Sequence, residues 1–158
     1  MEPTKRNVVS IVGRFYDPLG FLAPVVLRFK LLFQRLCVNK MDWDQSLTDF
    51  LLSEWNSLVQ ADLPVSIPRC YLDGIDSSSV SLTLCSFCDA STKAYAAIVY
   101  LMVKTECGPR VQFVVSKTRV SPTQELMIPR LELLSSLLLA RLMTTSCVDQ
   151  SQINPSSL

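Results

Sequence analysis

No histidine occurs anywhere in the 158 residues. A zinc site would therefore fall to the six cysteines alone: Cys37, Cys70, Cys85, Cys88, Cys107 and Cys147. Only Cys85 and Cys88 have C-x-x-C spacing. On a strand, residues i and i+3 face opposite sides, which spoils chelation. The cysteines instead read as reduced, mostly buried thiols, the usage of a cytoplasmic or nuclear protein. Excess charge of one sign is also missing. Fifteen Lys and Arg face fourteen Asp and Glu, a net charge of +1. Composition thus carries no nucleic-acid footprint. No clean apolar run is long enough for a membrane. Phe21 to Val38 is broken by Arg28, Lys30, Gln34 and Arg35. Leu131 to Met143 is too short and holds Glu132 and Arg141. The start, Met1-Glu2-Pro3-Thr4-Lys5-Arg6, leads into no apolar segment, so no signal peptide is expected. No internal repeat is visible. These absences predict a soluble chain with no membrane partner.

What is present is apolar content sufficient for a core, at a length that suits one domain or one and a part. Thr4 is placed to cap a short helix over Lys5 to Gly13. Asp17-Pro18-Leu19-Gly20 has the residues of a turn. A second helix follows from about Leu22 to Asn39, with Pro24 in its first turn. Val25, Phe29, Leu32 and Leu36 form its stripe, widened by Val26 and Phe33. Arg28, Arg35 and Lys40 lie off it, either as a solvated face or as contacts to a nucleic-acid backbone. Ser46-Leu47-Thr48-Asp49 resembles a capping box. It opens a third helix, to about Ala61, with Phe50, Leu51, Trp55 and Leu58 inward. Trp43 and Trp55 read as core anchors. Leu63 to Arg69 is expected to be extended, and Asp73 to Ser78 is the best boundary loop.

Beyond that loop the period changes. Ser79-Val80-Ser81-Leu82-Thr83-Leu84 alternates polar and apolar, as a half-buried strand does. Strands are expected near Val80–Cys88, Tyr95–Lys104 and Val111–Lys117, joined by consecutive hairpins. Glu106-Cys107-Gly108-Pro109 is the second connection. Asp89 stands at the tip of the first strand, with the small residues Ala90, Ser91 and Ala94 around the turn. An Asp there can hold a metal over a sheet edge; it can equally be a plain turn residue. Pro129 then opens a helix that is apolar nearly all round and so expected to be buried on most of its surface. Glu132 is placed in its first turn, facing an apolar neighbourhood where an ionised carboxylate needs a partner or a metal. After Met143 the apolar pattern fails.

Asp89, Glu132 and this order of elements resemble the ribonuclease H fold. More closely, the chain resembles the polyprotein of Bel/Pao-type LTR retrotransposons. The similar segments are Tyr16-Asp17-Pro18-Leu19-Gly20-Phe21-Leu22-Ala23-Pro24, Asp42-Trp43-Asp44, Ile67-Pro68-Arg69-Cys70, Phe87-Cys88-Asp89-Ala90-Ser91, Ser116-Lys117-Thr118-Arg119-Val120 and Ile128-Pro129-Arg130-Leu131-Glu132-Leu133. They run in the family's order from about Lys5 to Met143. Cys85-Ser86 stand where the family tends to have His-Gly, and Met127 where it has Thr.

The resemblance implies an α+β chain. Residues 1–72 would be a helical thumb- or connection-like segment, and 79–145 an incomplete ribonuclease H-like unit of three antiparallel strands and a helix. Residues 146–158 would be a loosely ordered tail. It implies a retrotransposon reverse transcriptase/ribonuclease H region that hydrolyses the RNA strand of RNA–DNA hybrids by two-metal catalysis, with Mg²⁺ as cofactor. Asp89 and Glu132 match two of the family's catalytic metal ligands. The further Asp that the family carries on a fourth strand has no match, because Asp149 follows the helix too soon. The implied partners are an RNA–DNA hybrid or other nucleic acid and the remainder of the polyprotein. The chain alone is expected to be inactive. The alternatives are a domesticated remnant that binds nucleic acid or protein, and a degenerate reading frame.

Overall fold

The computed structural model describes residues 3–60, 66–67, 81–105 and 108–150, with side chains described up to 145. The elements are α1 (Lys5–Arg14), α2 (Ala23–Val38), α3 (Asp49–Val59), β1 (Ser81–Ala90), β2 (Ala94–Thr105), β3 (Gly108–Val120) and α4 (Ile128–Gln150). They form two compact units. One holds α1, α2 and α3; the other holds the sheet and α4. The fold class is α+β, as the resemblance implies. The boundary loop at Asp73–Ser78 and most of Leu63–Arg69 lie outside the described residues.

In the helical unit, Thr4 caps α1 as expected. Its hydroxyl oxygen accepts from the Asn7 N–H, and Asn7 Oδ1 accepts from the Thr4 N–H at 2.9 Å. Val8, Phe29, Leu32, Leu36, Met41, Leu47, Leu51 and Leu58 make the core. Trp55 packs edge-on against Phe29, with ring centroids 6.2 Å apart. Five expectations are corrected here. Ser46 is not the N-cap of α3: it bridges to Thr4, and α3 begins only at Asp49 behind Thr48, whose side chain makes no cap bond. Phe50 is 74% exposed, because α3 turns Leu51 and Leu58 inward instead. Trp43 is no core anchor but half exposed, with the Lys5 ammonium 4.8 Å above its ring. Arg35 is not a free surface cation, since it pairs with Glu54 of α3. Cys37 likewise is exposed, not buried, just off the stripe of α2.

The second unit is a three-stranded antiparallel sheet in the order β1-β2-β3. Central β2 buries Ala97, Val99, Leu101 and Val103 on one face. α4 lies over that face, above β1 and β2, and touches β3 only lightly. Ala97, Val99, Leu138 and Leu142 are the buried centre, with Leu84, Cys88, Tyr95, Val114 and Val115 packed around them. β3 starts earlier than its apolar pattern suggests. Gly108 takes φ +119, and Pro109 sits opposite Lys104 on a strand at the sheet's edge, where a missing N–H is tolerated. α4 also outruns its apolar pattern. Polar residues continue the helix to Gln150, with the Thr144 and Thr145 hydroxyls turned back to donate to the carbonyls of Ala140 and Arg141, at 2.9 and 3.0 Å. Residues 151–158 lie outside the described residues.

α4 is not buried on most of its surface. Its inward stripe is Leu131, Ser135, Leu138 and Leu142, one side of the helix at i, i+4, i+7 and i+11. Leu133 and Leu137 face outward.

Candidate metal-binding site

Asp89 is the penultimate residue of β1, paired with Ala96 of β2. Its carboxylate is exposed, and Oδ1 accepts from the Ala90 N–H at 2.8 Å. The turn beyond it is closed by Ser91. The Ser91 N–H donates to the Ala94 carbonyl at 2.8 Å, and Ser91 Oγ accepts from the Ala94 N–H at 3.2 Å. Ser121, at the end of β3, pins that turn from the side. Its N–H donates to the Lys93 carbonyl at 2.9 Å and its hydroxyl to the Ser91 carbonyl at 3.2 Å. The small residues around Asp89 therefore serve a three-way junction of strand ends.

Glu132 is not in the first turn of α4. The helix begins at Ile128, ahead of Pro129, and the N–H groups of Arg130 and Leu131 both reach the Met127 carbonyl. Glu132 thus opens the second turn. Nor does it face an apolar neighbourhood. It follows Leu131, the buried residue, by about 100° of helix rotation and is exposed. The burial argument for a bound metal falls with that. A carboxylate in water is already solvated and needs no ion to stay charged.

What joins the two stretches is a pair of serines that sequence reasoning missed. Ser135 and Ser136 both donate to the Glu132 carbonyl, at 2.7 and 3.0 Å. The Ser136 hydroxyl also lies 3.7 Å from Cys88 Sγ. The residue before Asp89 is thereby seated one helical turn beyond Glu132. Alternation along β1 directs Cys88 toward α4 and Asp89 to the other face of the sheet. The signal was available as two adjacent polar residues, three and four positions after Glu132, in an otherwise apolar run.

Cys85 and Cys88 pair with Tyr100 and Ala97 respectively, which puts them on opposite faces of the sheet, as expected. Cys70, Cys107 and the Cys147 side chain lie outside what is described. Among the described residues no three His, Cys, Asp or Glu side chains gather to hold a metal. Asp149 falls within α4, not on a fourth strand. On donor chemistry, Asp89 and Glu132 suit a hard ion such as Mg²⁺, which takes oxygen ligands. On number, the pair falls short of what two ions require. No helix of the described residues is long and apolar enough to cross a membrane.

No curated protein matches the chain, and no solved structure matches it. A family model does match, over residues 4–158: the Pao retrotransposon-like RNaseH-like domain. That span takes in the helical unit as well as the sheet and α4, and by it the chain belongs to the Pao retrotransposon-like RNaseH-like domain family.

Proposed function

We propose that the sheet and α4 supply the first two carboxylates, Asp89 and Glu132, of a two-metal centre that cuts the RNA strand of RNA–DNA hybrids. The chain would act as one piece of a retrotransposon polyprotein, with the helical unit serving as a connection to its polymerase. The observation that carries this is the seating of Cys88 on Ser136, with Ser136 bonded back to Glu132. It sets the end of β1 against α4 one helical turn beyond Glu132. Asp89 and Glu132 would hold Mg²⁺, which in such centres activates water and stabilises the leaving oxygen. Their own part is to supply hard, anionic oxygens from two rigid elements. The remaining ligands would come from elsewhere in the polyprotein, and the chain by itself would be inactive.

The test is a Mn²⁺ titration of the whole chain followed by paramagnetic broadening of its amide signals. Signals around Asp89 and Glu132 should broaden together, at millimolar ion, the order expected of a site with few ligands. Either substitution, Asp89→Asn or Glu132→Gln, should abolish the broadening at both. Broadening around one carboxylate only, unaffected by changing the other, would show that the two do not share an ion.

A further inference from the structure

We propose that the open edge of β1 pairs with β1 of a second copy of this chain, antiparallel about a two-fold axis at Cys85, joining the two sheets into one. The hairpin fixes which backbone groups are on offer. The Ser91 N–H donates to the Ala94 carbonyl, so these two form a hydrogen-bonded pair of the ladder. Alternation then gives Asp89, Phe87, Cys85, Thr83 and Ser81 the bonds to β2. Leu82, Leu84, Ser86, Cys88 and Ala90 turn their N–H and C=O groups to the other side, where no strand lies among the described residues. Asp89 Oδ1 already takes the Ala90 N–H. Leu82, Leu84, Ser86 and Cys88 are left with both backbone groups at the edge.

The two edges of the sheet differ. β3 carries Pro109, Arg110, Lys117 and Arg119, and its ladder shifts register opposite Val99 and Tyr100. Proline, cations and bulges are what guard a strand edge against pairing. β1 has none of them. Its ladder with β2 runs unbroken from Ser81 to Ala90, and Ser81 to Cys88 holds no charge and no proline.

A copy of β1 fits this edge in charge and in space. Pairing Leu82 with Cys88, and Leu84 with Ser86, of the other copy uses all four open residues and exchanges about eight hydrogen bonds. Cys85 then meets its own copy on the axis. Asp89, the one charge of β1, stands opposite Ser81, so no like charges oppose each other on the strands. α4 lies evenly over β1 and β2. With strands about 4.8 Å apart, the two copies of α4 would run about 10 Å apart, the spacing of packed helices. The flank they turn to each other carries Ser136, which touches Cys88, and, at helical spacing, the half-buried Leu139 and Met143. Glu132 shares that flank, but the antiparallel arrangement sends the two Glu132 residues to opposite ends. The strip that closes is about 27 Å long, and sheet and helix together stand about 20 Å deep. The pair therefore covers about 1,000 Å² in all, the lower limit of a specific interface. Such a dimer is weak, and it does not rest on the carboxylates binding a metal.

The experiment is sedimentation velocity of the whole chain over a micromolar concentration series, in EDTA and reductant. The wild type should pass from monomer to dimer. Cys85→Lys and Cys85→Glu should each weaken the dimer by about fivefold or more, since each sets like charges directly opposite across the axis. Mixed in equal amounts, the two variants should dimerise again as unlike pairs. Ser86→Pro removes an edge N–H without touching the ladder to β2, and should weaken the dimer likewise. Leu133→Lys, on the outward side of α4, should leave it unchanged. A wild type that stays monomeric throughout overturns the proposal. So does a dimer indifferent to the Cys85 and Ser86 variants, or weakening at Cys85 that mixing does not relieve. Loss of the dimer in Leu133→Lys alone also overturns it, and assigns the contact to the back of α4.

Discussion

Asp17 does more than occupy a turn. One carboxylate oxygen accepts from the N–H groups of Gly20 and Phe21, at 3.0 and 2.9 Å, and the other from Leu22 at 2.8 Å. These N–H groups stand just before α2, whose own N-cap, Leu22, offers no side-chain acceptor. Gly20 makes the geometry possible with φ +82, a value that favours residues without a Cβ. Asp17→Ala should therefore lower stability by about 1–2 kcal/mol, the usual cost of losing a helix-capping side chain. A urea midpoint unchanged by that substitution would show that the three bonds contribute nothing. Asp44 offers a contrasting case. Its carboxylate meets the Arg6 guanidinium through two bonds, at 2.7 and 2.9 Å. Hydrogen bonding from Arg6 holds its pKa below the usual 3.8, with attraction to the cation adding to it. A carboxyl lowered on folding stabilises the fold above its unfolded value and loses that contribution as pH falls through its folded value. The difference between wild type and Asp44→Asn should accordingly be present at neutral pH and vanish as pH drops below about 3.8. Both groups are well exposed, so the effect is expected to be small. A difference that grew toward acid pH would contradict the sign.

α4 shows how far a sequence specifies an element. Its existence and its start near Pro129 follow from propensity and from the tolerance of proline in a first turn. Its facing does not. With leucine at 131, 133, 134, 137, 138, 139 and 142, no periodicity separates one side from another, and only docking on the sheet does so. Substitution reads the facing directly. Leu138→Ala, on the buried stripe, should cost about 2–5 kcal/mol. Leu133→Ala, on the outward side, should stay within about 0.5 kcal/mol. Equal effects in a thermal or urea melt would mean the helix is docked on another face. The strands were more legible, because alternation over β1 and the β-branched and aromatic run of β2 are period-2 signals. Their ends were less so. β3 extends beyond Val111–Lys117 at both ends, because pairing with β2 continues past the apolar residues that mark its middle. α3 was legible in place but not in face. Phe50 and Leu51 are adjacent and both apolar, and only packing decides which of them turns in. Of the site, Asp89 and Glu132 stood out by resemblance, whereas the Ser136–Cys88 contact spans 48 residues, so the sequence shows the serine but not its partner.

Across the whole molecule the decisive quantity is the number of carboxylates at the proposed metal site. Two-metal hydrolysis places ions about 4 Å apart over the scissile phosphate, and each needs fixed oxygen ligands to stay there. On the proposed function Asp89 and Glu132 would supply two side chains for that task, both exposed to water. No third carboxylate, cysteine or histidine joins them among the described residues. Two monoanions cannot neutralise two divalent ions, and exposure lets water compete for each ion with the ligands it has. A displacement of about 1 Å in the reacting groups already costs on the order of 100-fold in rate. With Mg²⁺ or Mn²⁺, the chain should therefore cleave a labelled RNA–DNA hybrid no faster than its Asp89→Asn variant. Asp149 is the one acidic residue near the end of α4 that could alter this. Its place within the helix, some 17 residues or about 26 Å of helical rise beyond Glu132, keeps it from the same ion. The assay compares the wild type with Asp89→Asn, Glu132→Gln and Asp149→Asn. Cleavage by the wild type that is lost in the first two variants and kept in the third would mean that two carboxylates suffice. Loss in all three would mean that Asp149 reaches the metal, and that α4 does not persist as one continuous helix when the ions bind.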